Sequence, residues 1–485
     1  MLRLVRVSLL ITCLMSGINL FSATYYVDYS SGSDSNNGTS KSSPWQHAPG
    51  MTGCAASCAA ASPKPGDSVI LKGGVTWPNA VFPWAWKWSG SSSAPVYLGV
   101  DTSWYSGSAW ARPVFDAGNS VINPGGYNVF VRFVSGTKYV TLDNVEMKDF
   151  YWNGSSQGYG AIEYIEVAGC TYITLENLYL HRWTHHDSSD GTADNLALVL
   201  GDTNSPYCQG CLFQNGTIDG SDGDSDAGQG FYGFGSVLNS VIHDIPNGIL
   251  PAGLPGTTVT VSGNTIYNIT TSFTGSHENF LETVANMGTL VVYNNLFHDG
   301  VGEAAFISNF TGEVDYFYNN VIYNLSGNEP EFCGPNCGSV YAWNNTIVPK
   351  AGLPCFHQGH GGTMGTVDLR NNHCITTYTA IQDNINASQL TTSPNVVMTP
   401  TVAASQGYTA AGSYAPLLGS GGTKQAGTDL SAQCSASYPS LCVALSMTNP
   451  PQPGTQRAAG SSPWDAGAYT IGGPPPPINL TAVVN

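Results

Sequence analysis

Charge is scarce in this chain, and positive charge is scarcest. Of 485 residues, 15 are Lys or Arg against 32 Asp or Glu, which gives a formal net charge of −17 with only 10% of residues charged. Between residues 140 and 400 the imbalance sharpens to 25 acids against Lys148, Lys350, Arg182 and Arg370. A surface of that sign repels nucleic acid, and any acidic polymer that a cation does not bridge. Neutral glycans and calcium-bridged acidic ones stay compatible with it. Beyond the N-terminus no apolar run approaches the roughly 20 residues of a membrane-spanning helix. Also missing are a long amphipathic helix, a Gly-x-Ser-x-Gly elbow leading into one, and a glycine-rich phosphate loop between strand and helix. Helical bundles, nucleotide-binding α/β folds and hydrolases of the elbow type are thereby set aside.

What is present suits an exported all-β protein. Hydrophobic residues make up 42% of the chain and glycines number 57, enough for a substantial core with many turns. Arg3 and Arg6 precede an uncharged apolar run and small residues ending at Ala23, the order of a secretory signal peptide over residues 1–23. Of 12 cysteines, Cys13 lies in that segment and an odd number remains. The close pairs Cys54/Cys58, Cys208/Cys211, Cys333/Cys337 and Cys434/Cys442 read as loop staples of an oxidising compartment. Cys170, Cys355 and Cys374 are left over, so at least one thiol is expected to stay free.

Internal repetition dominates the middle of the chain. "VTLDNVEM" from Val140, "ITLENLYL" from Ile173, "VLNSVIHD" from Val237, "VVYNNLFH" from Val291 and "YAWNNTIV" from Tyr341 share one pattern. It is a short β-type run, an Asn-rich turn and a second short run. Aligning Asn144, Asn177, Gly216, Ser240, Asn264, Asn295, Asn320, Asn345 and Asn372 gives a shortest step of 24 residues with variable excess: a fixed coil with loops of variable length. One such coil cannot bury its apolar face alone, so coils must stack. The pattern predicts an all-β, single-stranded right-handed parallel β-helix with N- and C-terminal capping segments, its turn asparagines stacked in a ladder.

The ends extend the pattern. "TYYVDYSSGSDSNNGTSKSSPWQ", "GDSVILKGG" and "SPWDAGAYT" resemble the opening and closing of secreted β-helix proteins of the pectate-lyase-like superfamily, and with the coils the resemblance covers residues 24–471. It implies the fold, and it implies a polysaccharide as partner, either cleaved or bound noncatalytically. It leaves the activity open, since one fold carries many sites. The expected organisation is a cap and first coils over 24–135, coils over 136–400, last coils and a cap over 401–472, and a Pro-rich linker and tail over 473–485. "INLTAVVN" in that tail looks like the first strand of a further domain, so the expectation is a monomer, or surface attachment through a domain this chain does not contain.

Chemistry is expected where side chains of successive coils meet, about 4.8 Å apart. "ENFL", "EAAF" and "EPEF" align Glu278, Glu303 and Glu329 in one column. Stacked carboxylates raise one another's pKa, as an acid beside an ionised partner requires, and their spacing suits glycoside hydrolysis. His277 and His357 are the expected proton-transfer partners; exposed loop carboxylates are the alternative. Trp84, Trp86 and Trp88 alternate along a strand, so they share a face and serve either as a sugar-stacking platform or as a hydrophobic cap. Asp190 and Asp194 in one acidic loop and Asp222, Asp224 and Asp226 in the next are expected to share a calcium ion, with a solvated acidic turn as the alternative. "TADNLALVL" (Thr192 to Leu200) resembles calcium-dependent β-helix lyases, but it carries Ala197, Leu198 and Val199 where the resemblance requires a lysine. Hydrolysis is therefore placed ahead of elimination.

Overall fold

The computed structural model describes residues 22–152, 162–185, 197–201, 207–272, 278–283, 285–307, 310–328, 330–332, 338–359, 361–416, 420–436, 438–446, 451–457, 460 and 463–471. The chain winds through three parallel faces. The first face runs from Thr24–Val27 through Lys138–Asp143 and Gly288–Tyr293 to Ala387–Thr391, and the second from Thr76–Pro78 to Val396–Met398. The third begins at Trp84–Trp86, runs to Asn279–Leu281, and continues from Phe306–Ile307 to Gln382–Asp383. Bridges from Asn279 to Glu303 and from Glu282 to Phe306 join its two parts. Among the described residues these faces contain only parallel strand pairs, so the expected parallel β-helix is the architecture.

Stacking like residues along the axis builds the core. On the second face Leu180, Ile218, Ile242, Ile266, Phe297 and Ile322 occupy one register position in successive coils, and all are fully buried. Each such side chain contributes about 2 kcal/mol by leaving water. Between the first and second faces the polar ladder forms as expected. The Asn320 side-chain Nδ2 donates to Asn345 Oδ1 at 3.1 Å and to the Val292 carbonyl at 3.0 Å. Asn264, Asn295, Asn345, Asn372 and Asn395 continue the same pattern.

The register corrects the alignment at two places. The Asn144 N–H donates to the Glu176 carbonyl and the Asn177 N–H to the Gln214 carbonyl, as the Asn294 N–H does to Tyr318. Asn144, Asn177 and Asn294 have φ of 59°, 55° and 56°, the left-handed region that asparagine tolerates through its short polar side chain. Asn144 and Asn177 thus stand one residue before the ladder, whose place in those coils is filled by buried Val145 and Leu178. The ladder proper begins with Ser240, whose N–H donates to Asn264 Oδ1 at 3.0 Å.

The aromatic run near the N-terminus is core. Trp84 and Trp86 are 0% exposed and donate their indole N–H groups to the carbonyls of Pro49 and Trp88. Their shared face points inward, which rules them out as a sugar platform and supports the cap alternative; Trp88 packs half-buried against them. The cysteines also differ from expectation in one pair. Cys54–Cys58, Cys208–Cys211 and Cys434–Cys442 are bridged, and Cys355 pairs with Cys374 across adjacent turns. Cys170 is free and buried, its thiol pushed up to about 12 by burial. Cys333 and Cys337 lie outside the described residues, as do residues 1–21 and 472–485.

The last coil strand is Val396–Met398, and the chain beyond it completes no further coil. It turns into the helix Pro400–Ser405, where Thr399 caps the N-terminus by accepting from the Val402 N–H, and then folds back along the outside of the stack. Leu430, Leu441 and Trp464 cover Tyr318 and Trp343, while Ala415, Leu445 and Tyr469 cover Leu296, Val321 and Tyr323.

Candidate active site

The outward residue that follows the buried position on the second face forms a column of its own. Asp116, Lys148, His181, Asp219, His243, Tyr267, His298 and Tyr323 occupy it in successive coils. All are ionisable or aromatic, a run that packing of the core does not require. The next residue in several coils is left-handed, with φ of 55° at Asp149, 57° at Arg182, 55° at Asp244 and 56° at Asp299. This bend carries the chain off the face and swings a short carboxylate back onto the preceding ring. His243 Nδ1 lies 2.6 Å from Asp244 Oδ2, and His298 Nδ1 lies 2.7 Å from Asp299 Oδ2.

The centre of the column is a dense polar network. His181, 7% exposed, bridges Asp222 Oδ2 at 2.8 Å and Glu146 Oε1 at 3.3 Å, and its ring stacks on Tyr179 at 4.1 Å. Tyr179 donates its hydroxyl to Asp219 Oδ2 at 3.0 Å. Asp219 Oδ1 accepts from the Ser221 N–H and hydroxyl and faces His243 Nε2 at 3.6 Å. One coil before His181, Lys148 lies 3.5 Å from Asp116 and 3.4 Å from Asp149, and Arg182 donates to Asp149 at 2.6 Å. His243, Tyr267, His298 and Tyr323 continue as a stack with ring centroids 4.6, 5.3 and 5.2 Å apart.

These contacts set the charges. Burial works against a charged His181, but the hydrogen bonds to Glu146 and Asp222 outweigh it and hold the imidazole above its ordinary pKa. The His181 bond likewise holds Glu146 below the usual carboxylate range. Burial would raise Asp219, but the bonds from Ser221, the nearby His243 and the Tyr179 hydroxyl together lower it. Lys148 is pulled down by burial and pushed up further by Asp116 and Asp149, so it is held protonated. The network therefore favours the protonated form of the imidazole and the ionised form of the carboxylates beside it.

The acidic loop that carries Asp222, Asp224 and Asp226 packs against this network. Asp222 is engaged by His181 and the Arg182 N–H, whereas Asp224 and Asp226 face His185, each at 3.7 Å, with Asp224 also accepting the His185 N–H. Among the described residues the one group whose donor atoms gather within 4.8 Å of one another is Asp219, His243 and Asp244. An imidazole in so small a set suits a borderline cation such as zinc better than calcium, which takes oxygen donors. Asp190 and Asp194 lie outside the described residues.

The third-face glutamates do not form the aligned column. Asn279 pairs with Glu303, so Glu278 stands one residue out of register, where it accepts from the Ser272 N–H at 3.0 Å. Glu303 accepts from Asn328 at 3.0 Å and keeps a buried oxygen without a hydrogen-bond partner. His357 pairs in register with Glu331, not with Glu303. Glu329 and His277 lie outside the described residues. A cleft lined by Tyr207, Gln209, Ser236, Leu254 and Thr258 carries no carboxylate, imidazole or amine.

No protein-family model matches the chain, and no curated protein matches it. Among solved structures it is similar to a rhamnogalacturonan lyase at 14% identity, over 78% of this chain and 88% of that one, with a TM-score of 0.42. It is similar to pectate lyase Pel9A at 16% identity, over 77% and 81%, with a TM-score of 0.40. A GH136 lacto-N-biosidase from Eubacterium ramulus matches at 15% identity, over 78% and 68%, with a TM-score of 0.36. Likeness at this level concerns the winding of the chain and carries nothing about its chemistry.

Proposed function

We propose that this chain is an extracellular polysaccharide-cleaving protein that hydrolyses glycosidic bonds on the outward column of its second face. One observation carries the reading. His181, held between two carboxylates that favour its protonated form, and the Asp244-oriented His243 stand two coils apart in the same column, with Asp219 between them. Two coils span about 9–10 Å, near the separation at which inverting hydrolysis accommodates sugar and water between acid and base. His181 donates a proton to the leaving oxygen, His243 takes one from the attacking water, and Asp219 stabilises the positive charge that develops on the sugar ring. Tyr179, stacked on His181, and Tyr267, stacked between His243 and His298, border the reacting bond with their ring edges. Asp219, His243 and Asp244 would alternatively hold a zinc-class cation, which would then activate the water in place of His243 as base.

A second reading, β-elimination on a uronate chain, draws on Lys148 and Arg182 in the same network. Lys148 held protonated between Asp116 and Asp149 is a poor base, which keeps hydrolysis first. Glu303 on the third face is the alternative catalytic residue, and a noncatalytic glycan-binding solenoid is the alternative class. Incubation with a panel of neutral and acidic polysaccharides, followed for reducing ends and for absorbance of unsaturated products, separates these readings. Reducing ends alone, abolished in His243→Asn and retained in Glu303→Gln, are the expected outcome. Unsaturated products would replace hydrolysis by elimination, loss in Glu303→Gln alone would move the centre to the third face, and silence across the panel would leave the binding protein.

A further inference from the structure

The column of the second face is open at one end and walled at the other. Toward the N-terminus the outward positions beside it stay accessible: Thr76 is exposed, Val114 and the column's Asp116 are half-exposed, and Val241 beside His243 is 36% exposed, while His181 and His243 themselves are 7% and 9% exposed among their carboxylate partners. From the coil of His298 onward this changes, because the C-terminal segment crosses the face: Leu296 is 5% exposed beneath it while His298 beside it stays partly exposed, and at Tyr323 the cover is complete. Val321, the outward neighbour of Tyr323, is 0% exposed, and Thr346 and His373 in the next two coils are 1% exposed. Tyr414 packs on Tyr323 with ring centroids 5.4 Å apart. Ser413 and Tyr414 are held left-handed, with φ of 48° and 56°, and the Tyr469 hydroxyl donates to the Ser413 carbonyl at 2.7 Å. One coil further on, the Ala468 N–H donates to Thr346 Oγ1 at 3.0 Å, and Tyr408 sits on His373 with centroids 4.6 Å apart. The wall is thus fixed to three successive coils and is not a loop resting on the surface.

We infer that this track receives the end of a polysaccharide chain and releases short products of uniform length, and does not cut chains internally at random. The inference rests on the function proposed above. Between His243 and the wall lie the coils of Tyr267 and His298, about 10 Å of track at about 4.8 Å per coil, which is room for about two sugar rings. A chain lying along the column cannot continue past Tyr323, so whatever lies beyond the reacting bond on that side must be a terminus. The partly exposed edges of Tyr267 and His298 line the closed stretch.

The test uses the full-length protein on whichever polysaccharide of the panel it cleaves, with bonds broken, viscosity and product sizes followed together. The expected result is one short oligosaccharide, of about two sugars, from the earliest time points while viscosity falls little. Opening the wall with Tyr414→Ala should broaden the products toward longer fragments and reduce the share of the shortest several-fold. A random ladder of fragments with early viscosity loss from the wild type would overturn the inference and leave the hydrolase standing, while silence of the whole panel would overturn both. Should Tyr414→Ala fail to fold, the wild-type product series decides on its own.

Discussion

Asn320 shows how much one side chain carries in a stacked fold. It is fully buried and donates to Val292 and Asn345 while its Oδ1 accepts from the N–H and the Nδ2 of Asn295. Removing it strands several buried polar groups at once, each worth about 1–3 kcal/mol when unsatisfied. Asn320→Ala is expected to cost at least about 3 kcal/mol, read as a large fall in melting temperature. The same substitution at Asn268, which is exposed on the outside of its coil, should cost under about 1 kcal/mol. His181 permits a second residue-scale prediction. Its pKa is raised above the ordinary 6.5 by its partners, so its contribution to stability is complete below about pH 6.5 and is lost as pH rises through the folded value. The acid limb has the opposite sign: Asp219 is lowered from 3.8, so what it stabilises is present above that value and fades as pH falls through the lower folded one. Activity should fall on the alkaline side as His181 loses its proton. His181→Gln should remove the alkaline limb, seen as a flat rate profile toward high pH at much reduced kcat, and a limb that persists would assign it elsewhere.

At the scale of the element, the coil repeat made the fold legible while the site stayed hidden by one residue of register. Period-2 alternation and the Asn turn were readable because every coil must solve the same burial problem. Asn144 and Asn177, however, invite alignment with the ladder when they are the left-handed residues before it, and that slip shifts two coils relative to the rest. Counted from the left-handed residue instead, the fourth position reads Lys148, His181, Asp219, His243, Tyr267, His298 and Tyr323. The signal was therefore in the sequence, but only backbone conformation distinguishes the two asparagine columns. The glutamates near residue 303 misled for a related reason: the turns between the second and third faces differ in length, and a one-residue offset sends a side chain to another side. The aromatic strand misled differently, since period-2 alternation says that Trp84 and Trp86 share a face without saying which. The column makes a prediction of its own. Tyr267 stacks between His243 and His298 and has no role in proton transfer. Tyr267→Ala should loosen the His243 ring that packs on it, seen as a several-fold fall in kcat with KM little changed.

For the whole molecule the decisive relation is between the stack of coils and the segment that folds back over it. A solenoid gains stability coil by coil, whereas the C-terminal segment contributes a separate interface centred on one cation. Arg457 is buried, donates to the carbonyls of Gly467 and Asp465 at 2.9 and 3.2 Å, and reaches Asn319 Oδ1 of the coil stack at 3.3 Å. Burial pulls its pKa down to about 10, the mark of a charge kept out of water by the groups around it. Its guanidinium also lies over Trp464, 5.5 Å from the ring centroid, so the same side chain ties the segment to itself and to the left-handed turn of a coil. Arg457→Ala leaves those carbonyls and the Asn319 amide oxygen buried without their donor, a loss of about 3–5 kcal/mol for a buried charged network. Because the coils do not depend on Arg457 for their own ladder, the loss should fall on the segment alone. The expected outcome is a thermal transition that splits in two and limited proteolysis that cuts beyond Met398 while residues 24–398 persist. A single cooperative transition at lower temperature, with no early cleavage beyond Met398, would mean that segment and coils unfold as one body. With the segment loosened the wall at Tyr414 is loosened too, so products from Arg457→Ala should lengthen as they do in Tyr414→Ala. Products that stay short while the segment is demonstrably detached would place the end of the track within the coils themselves.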